Sequence, residues 1–299
     1  MAATRIAILS TSKLPDFLGQ DHPDKEALFA EDDCLIAALA NRGLSAERIA
    51  WQRKDIDWAA YGMAVIRSTW DYFENLPDFF ETLTAIAARG CRLVNPLTTV
   101  RWNAEKRYLA ELAEAGIPTA PSLFLDAGED PKPRLSELGP APGGYVRKPL
   151  VGVGAFGIER FSDQRTLLRA PPSPSPSLLQ PFIDTVASEG EWSFVFGAGR
   201  FLYAALKRPS NGEFRVQGVH GGTTLPITPR AQDLEVAAQC YQALPVRAEL
   251  ARLDMMRLKD GRFVLMEAEL IEPQLYLFDV PQAAAALAGA IHDLSMTSR

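Results

Sequence analysis

Three carboxylates near the C-terminal end of the sequence have a spacing that could bind a divalent cation. Residues 251–257 and 261–269 are apolar stretches around an Asp-Gly turn, which predicts a β-hairpin. Asp254 lies on the first strand, and Glu267 and Glu269 share one face of the second because side chains alternate along a strand. Such carboxylates repel one another unless a cation neutralises them. Oxygen ligands favour Mg²⁺, and a solvated polar face is the alternative.

A lysine followed by a glycine-rich segment is typical of a phosphate site. Lys148 ends a predicted strand, and Gly152, Gly154 and Gly157 follow it. Glycines let backbone N–H groups approach phosphate oxygens, and the lysine adds a positive charge. The segment lacks the P-loop pattern and the strand-to-helix setting of a dinucleotide-binding loop. Taken alone, it is equally compatible with an ordinary turn.

Two further segments could complete a nucleotide site. Lys106 lies within a predicted helix over 101–115, where a solvated lysine is the plain alternative. Residues 180–183, Gln-Pro-Phe-Ile, end an apolar strand with proline. Such a strand end can offer backbone groups and apolar side chains to a planar base, although it is more often part of a core.

The first hundred residues predict an open parallel α/β unit. Apolar periodicity gives strand 5–10, helix 25–40, strands 46–51 and 64–67, helix 76–88 and strand 92–96. Ligands bind at the C-terminal ends of the strands in such units. Arg67 and Asp71 lie at the end of the third strand, which makes them candidates for substrate contact.

The rest of the chain predicts mainly strands. The expected strands are 122–125, 145–149, 178–183, 192–196, 200–206, 214–218 and the two of the hairpin, with helices over 230–244 and from about 281. The Pro- and Ser-rich residues 170–177 predict an exposed loop, and a ligand for proline-binding modules is a remote alternative.

The order of these motifs resembles the ATP-grasp superfamily of ATP-dependent carboxylate–amine ligases, which includes glutathione synthetase and D-alanine–D-alanine ligase. The resemblance covers the whole chain and is best over 100–275. It implies an α/β and α+β protein in which an open parallel pre-ATP-grasp domain (1–98) precedes a two-subdomain ATP-grasp fold. The subdomains implied are 99–185, with the lysines, glycine loop and hinge, and 186–299, with the Mg²⁺ site.

The resemblance also implies a role for each matching residue. Lys106 and Lys148 would hold the ATP phosphates under the glycine loop, and Arg215 would stabilise the transferring γ-phosphate. The adenine hinge would be Gln180, Phe182 and Ile183. Glu191 would lie near the ribose or in the polar network at the site, and the Mg²⁺ ligands would be Asp254, Glu267 and Glu269. Many members have Asn in place of Glu269, so this chain carries an additional negative charge.

Residues 67–72, 189–193 and 267–273 look closest to a branch that includes the O-ureido-serine cyclo-ligase of cycloserine biosynthesis. In an amino-acid substrate, Arg67 would pair with the carboxylate and Asp71 with the ammonium group. A salt-bridged loop anchored by Trp70 is the alternative. An amino-acid or small-peptide ligase is therefore the broader expectation.

The resemblance implies an ADP-forming ligase that requires ATP and Mg²⁺ and proceeds through an acyl-phosphate. The alternative hypotheses are an ATP-grasp kinase that phosphorylates a hydroxyl, a non-catalytic ATP-binding module and, less favoured, an AMP-forming ligase. Among the histidines, His220 could contact substrate, but an ordinary loop histidine is the better interpretation.

The composition of the chain limits the kinds of molecule that the protein is expected to bind. The 299 residues carry a net charge of −6 and no basic run, which argues against nucleic-acid binding. The three cysteines have no paired spacing, so neither a zinc site nor a disulfide framework is indicated. No apolar run is long enough to span a bilayer. We expect a cytoplasmic protein that acts on small molecules, with a homodimer as a candidate assembly.

Overall fold

The computed structural model describes residues 5–14, 29–218 and 221–297. In these ranges the strands form three sheets, one of five strands and two of four. None of the helices in the described ranges has the length and hydropathy needed to cross a membrane. The start of the predicted helix 25–40 and His220 lie outside the described residues.

The N-terminal sheet is parallel, with strand order β2-β1-β3-β4. Three of the four strands consist mostly of buried apolar residues, which is typical of parallel strands covered on both faces, whereas β2 at the edge has one buried residue, Ile49. This confirms the predicted open α/β unit. Its elements are β1 (Arg5–Ser10), α1 (Ala30–Ala40), β2 (Ser45–Ala50), β3 (Met63–Ile66), α2 (Leu76–Ala88) and β4 (Arg92–Val94).

The single helix predicted over 101–115 is wrong. The structure has α3 (Leu97–Asn103) and α4 (Tyr108–Glu114), and Lys106 lies in the turn between them. Tertiary hydrogen bonds replace helical ones here: the Lys106 N–H donates to the Leu150 carbonyl at 3.0 Å. The side chain of Asn103 bonds the backbone of Leu270 just beyond the hairpin.

The second sheet is antiparallel, with order β5-β8-β6-β7. Residues 171–176, which precede β8 in the chain, have irregular structure and are mostly exposed, as expected for the Pro- and Ser-rich tract. The elements are β5 (Leu123–Leu125), β6 (Tyr145–Pro149), β7 (Glu159–Phe161), α5 (Gln164–Arg169) and β8 (Ser177–Pro181).

The third sheet is antiparallel, with order β11-β10-β9-β12-β13. The predicted hairpin is confirmed, and Gly261 takes the positive φ of its turn. The elements are α6 (Val186–Glu189), β9 (Glu191–Gly197), β10 (Arg200–Arg208), β11 (Thr223–Ile227), α7 (Ala231–Gln242), β12 (Leu250–Arg257), β13 (Phe263–Glu269) and α8 (Ala283–Met296).

The strand predicted over 214–218 is wrong, and the edge strand is β11 instead. The Glu213 carboxylate accepts the N–H groups of Phe214 and Arg215, so the backbone here is satisfied locally. β11 was missed because it contains Pro226 and is largely exposed. Proline is tolerated in a strand only where it lies at the edge of a sheet.

Asn95 joins the first sheet to the third. Its side-chain amide donates to the carbonyls of Leu250 and Leu270 at 2.6 and 2.7 Å. Its side-chain oxygen accepts the N–H groups of Glu249 and Leu250. All of these groups are buried. This one side chain therefore forms hydrogen bonds with backbone groups both where the chain enters the hairpin and where it leaves it.

Replacing Asn95 should therefore destabilise the whole protein. We expect Asn95→Ala to lower the free energy of unfolding by about 3 kcal/mol, because buried backbone groups lose their partners. Urea unfolding measures this. Asn75→Ala, which removes only an exposed cap of α2, is the control and should cost about 1 kcal/mol. Equal losses in the two variants would contradict the linking role of Asn95.

Candidate functional site

A cavity of about 570 Å³ is lined by residues of the two antiparallel sheets and by residues of the N-terminal unit that lie outside its strands. Most of the residues singled out in the sequence line it. Asp71 and Gly157 do not. The predicted site residues in its lining are Arg67, Lys106, Lys148, Gly152, Gly154, Gln180, Phe182, Ile183, Glu191, Arg215, Asp254, Glu267 and Glu269.

Asp254 lies directly opposite Glu267 in the hairpin, as the sequence predicts. Its carboxylate is saturated with donors. One oxygen accepts from the Ser193 hydroxyl at 2.6 Å and from Arg252 Nε at 3.0 Å. The other accepts from Arg252 Nη2 at 2.9 Å and Lys207 Nζ at 3.1 Å. Since a carboxylate has about four lone-pair sites, a cation can bind Asp254 directly only if a donor gives way.

Arg252 and Lys207 are site residues that sequence reasoning missed. Arg252 also pairs with Glu269, and Lys207 with Glu191. Burial alone would raise the pKa of Asp254, but Arg252 and Lys207 hold it below its ordinary range. Arg252 could have been found, because it lies two residues before Asp254 on the same strand. Lys207 gives no such signal, since the order of the strands brings it there.

Lys106 pairs with Glu267 at 2.9 Å and donates to the Gly152 carbonyl at 3.2 Å. Burial alone would lower the pKa of Lys106, but Glu267 raises it. For Lys148, burial prevails and lowers the pKa, although Glu267 opposes it. Lys148 is thus a half-buried cation whose charge an anion in the cavity would stabilise.

Glu269 at the end of β13 and Glu272 just beyond it have raised pKa values. Burial raises the pKa of Glu269 to about 7 and, with Glu269 beside it, that of Glu272 to about 8. A bound cation would favour their charged forms, and their oxygens suit Mg²⁺. In the described residues, no group of three His, Cys, Asp or Glu is gathered closely enough to hold a metal ion as it stands.

The opposite end of the cavity is apolar and carries an unpaired acceptor. Gln180 donates to the Ser122 hydroxyl at 3.0 Å, while its Oε1 is buried without a partner. Arg160 covers the ring of Phe182 at 3.8 Å from its centroid, and Phe214 meets that ring edge-on at 6.0 Å. The end therefore suits a planar ligand with an N–H donor.

Arg215 faces the cavity but is paired within its own turn. Its guanidinium lies 2.7 Å from the Glu213 carboxylate, while its Nε is buried without a partner. The Arg215 side chain and nearby backbone N–H groups lower the pKa of Glu213 to about 2. Arg215 can meet an anion if the anion competes with Glu213.

The structure places the two expected substrate contacts differently. Arg67 lines the cavity but is almost wholly buried, with its guanidinium bound to Glu31 and to the Pro273 carbonyl. Asp71 accepts hydrogen bonds from the Trp51 and Gln52 side chains, away from the cavity lining. Trp70 does line the cavity and stacks on Phe29.

The glycine loop after β6 reaches the cavity through Gly152 and Gly154. Gly154 and Gly157 both have positive φ, as does Ala155 between them. A Cβ added at Gly157 would lie 3.0 Å from the Pro149 ring. Gly157 is therefore needed for the turn, and Gly152 and Gly154 are the glycines that face a ligand.

Comparison with known proteins gives a family match for the N-terminal part. Residues 6–95 match the family described as the N-terminal domain of the D-cycloserine synthetase DcsG. The cycloserine biosynthesis protein DcsG of Streptomyces lavendulae is 27% identical over 277 residues, which are 86% of this chain and 91% of that protein.

Solved structures are similar over nearly the whole chain. A crystal structure of D-cycloserine synthetase DcsG has a TM-score of 0.78 at 24% identity, covering 97% of this chain and 99% of that one. The D-alanine–D-alanine ligase of Bacillus anthracis has 0.69 at 19% identity, with 98% of each chain covered. The ATP-grasp ligase PsnB, complexed with a minimal precursor, has 0.65 at 13% identity, covering 97% of this chain and 99% of that one. These likenesses confirm the expected fold.

The Asp254 network predicts a large effect on stability. We expect Asp254→Asn to lower the free energy of unfolding by about 3 kcal/mol, because two buried cations lose the charge that neutralises them. Thermal and urea unfolding measure the effect. The control is Asp260→Asn in the exposed hairpin turn, which pairs only with its neighbour Arg262 and should change stability little. A loss no larger than in the control would contradict the network.

Proposed function

We propose that this chain, which has the fold of the ATP-grasp ligases, joins a small carboxylate to an amine and converts ATP to ADP and phosphate. The sequence and structural likenesses support an ATP-dependent ligase. We further propose that the substrate is an amino acid or a small peptide and that the required metal is Mg²⁺. The division into domains at 1–98, 99–185 and 186–299 is part of the same proposal.

One observation carries the proposal. A single cavity collects two lysines, a group of apolar side chains, an arginine and three carboxylates from separate parts of the fold. Lys106 and Lys148 line this cavity and are the proposed phosphate-binding residues, and the unpartnered Gln180 oxygen suits the amino group of adenine. A cavity with opposite charges at one end and apolar side chains at the other fits a nucleotide with its metal.

The proposed reaction has two steps. A carboxylate oxygen of the substrate attacks the γ-phosphorus of ATP, which forms an acyl-phosphate and releases ADP. The amine nitrogen then attacks the acyl carbon, phosphate leaves and the amine gives up a proton. In this proposal the chain's own residues position the reactants and neutralise charge, and Arg215 would contact the phosphate that transfers. No protein nucleophile is required.

Asp254, Glu267 and Glu269 are the proposed Mg²⁺ ligands. The two glutamates fit this role best, because Asp254 is occupied by Arg252, Lys207 and Ser193. A bound Mg²⁺ would withdraw charge from the phosphate oxygens. The additional charge of Glu269 is consistent with Arg252 as its partner.

The N-terminal sheet is the proposed substrate domain. Its family match and the relative from Streptomyces lavendulae support an amino-acid substrate. Trp70 lines the cavity from this side, together with Ser68 and Glu31. Arg67 and Asp71 remain proposed contacts, but the partners they already have argue for an indirect part.

The test is release of phosphate from ATP and Mg²⁺ across amino acids, dipeptides and O-ureido-serine, with ADP and AMP resolved. Substrate-dependent ADP together with phosphate supports the ligase. ADP without free phosphate indicates a kinase, and AMP indicates an AMP-forming ligase. ATP binding with no stimulation by any compound would favour a non-catalytic module.

Arg215 should matter more for turnover than for ATP binding. We expect Arg215→Ala to lower kcat about 100-fold, since preorganised charge acts on the transferring phosphate, and to change the Kd of ATP less than about threefold. Calorimetry and the phosphate assay separate the two effects. Arg200→Ala, an exposed arginine paired with Asp293, is the control. A loss confined to ATP affinity would count against the role.

Glu267 should be required for the metal. Glu267→Gln keeps the shape of the side chain and removes its charge, so we expect Mg²⁺-dependent turnover to be abolished with the fold intact. Binding of Mn²⁺ in the presence of ADP, followed by electron paramagnetic resonance, should weaken at least about tenfold. Glu137→Gln, an exposed carboxylate paired with Arg134, is the matched control. Near-normal turnover and Mn²⁺ binding would refute the assignment.

A further inference from the structure

Residues 270–280, here called the strap, connect β13 to α8 and cross between the first and third sheets. Ile271, Glu272, Pro273, Gln274, Phe278 and Asp279 of the strap line the cavity. The strap contains Tyr276, a buried residue with φ of 55°. A bulky residue adopts this conformation only when its surroundings impose it. The contacts of the strap therefore decide where it lies.

On one side, the strap is held by a buried ion pair of the N-terminal unit. Arg67 donates to the Pro273 carbonyl and pairs with Glu31 at 3.1 Å. The Glu31 carboxylate in turn accepts the strap N–H groups of Leu275 and Leu277 at 3.3 and 2.8 Å. The Arg67 and Glu31 side chains are only 3% and 14% exposed, so water competes little with these bonds.

On the other side, the strap holds residues of the carboxylate network. The Gln274 carbonyl accepts from Arg252 Nη1 at 2.9 Å, and Arg252 binds Asp254 and Glu269. The Tyr276 ring lies under the Arg252 guanidinium at 5.5 Å. Its hydroxyl is 3.2 Å from the Ser193 hydroxyl, which donates to Asp254.

We propose that Arg67 and Glu31 are positioning residues, which clamp the strap and thereby set Arg252 and the carboxylates at the phosphate end of the cavity. The inference rests on the proposed function only for its effect on turnover. Arg67 was expected to pair with a substrate carboxylate, but its guanidinium already binds Glu31 and the Pro273 carbonyl. In this proposal it therefore affects the reaction through Arg252. The ATP contacts at Lys148 and Gln180 do not belong to the strap.

The chain offers a matched control pair. Arg92 and Glu249 also form a buried ion pair between the first and third sheets, with side chains 14% and 3% exposed. Arg92 lies on β4 and Glu249 immediately precedes β12, and neither lines the cavity. A variant of Glu249 thus reports the general cost of losing a buried ion pair between the sheets.

The first measurement is hydrogen–deuterium exchange on the full chain with Glu31→Gln, Glu31→Ala and Glu249→Gln. We expect the Leu275 and Leu277 amides to exchange at least about tenfold faster in Glu31→Ala, less so in Glu31→Gln, and at the wild-type rate in Glu249→Gln. Unchanged exchange of these amides in Glu31→Ala would overturn the clamp. So would equal acceleration in Glu249→Gln.

The second measurement is ATP turnover with the substrate found in the phosphate-release panel. We expect Glu31→Gln and Arg67→Lys to lower kcat about tenfold with the KM for ATP within about twofold, because the altered interactions act on the transferring group. A raised KM for ATP with normal kcat, or the same loss in Glu249→Gln, would overturn the positioning role. If the panel yields no substrate, the proposed function fails, and the exchange measurement alone decides the clamp.

Discussion

The structure depends on the cost of burying charge. Asp254 is almost completely buried, and it is tolerable there because Arg252, Lys207 and Ser193 supply all the hydrogen bonds its carboxylate can accept. Each cation is shared with a second acid: Arg252 with Glu269 and Lys207 with Glu191. The network therefore joins four neighbouring strands of one sheet, and a cation that binds Asp254 directly must displace one of these donors.

The same constraint explains how the sheets meet at the cavity. Polar groups that are buried where the sheets meet cannot be satisfied by apolar side chains. Directional hydrogen bonds therefore hold the sheets together there. Asn95 satisfies backbone groups on both sides of the hairpin, and Arg67 with Glu31 fastens the strap. These links connect the N-terminal unit to the third sheet and to the strap, whose residues line the cavity.

Local sequence patterns predicted much of the fold, because helices and strands depend mainly on residues that are close together in the chain. The parallel unit followed from buried apolar runs alternating with helices, and the hairpin from period two around Gly261. The errors occurred where tertiary contacts override local preference. Lys106 interrupts a helix to bond Leu150, and the segment at Arg215 satisfies its backbone with Glu213 instead of a neighbouring strand.

The sequence by itself determined which residue types are present and which of them face each other across a short turn, as Asp254 and Glu267 do. Only the tertiary structure decided that Lys207, 47 positions away, would share Asp254, and that Arg67 would bind a carbonyl 206 positions later. It also directed Asp71 away from the cavity. The reason is physical: the face of a strand is a local property, whereas the partner of a buried charge depends on the order in which distant strands pack.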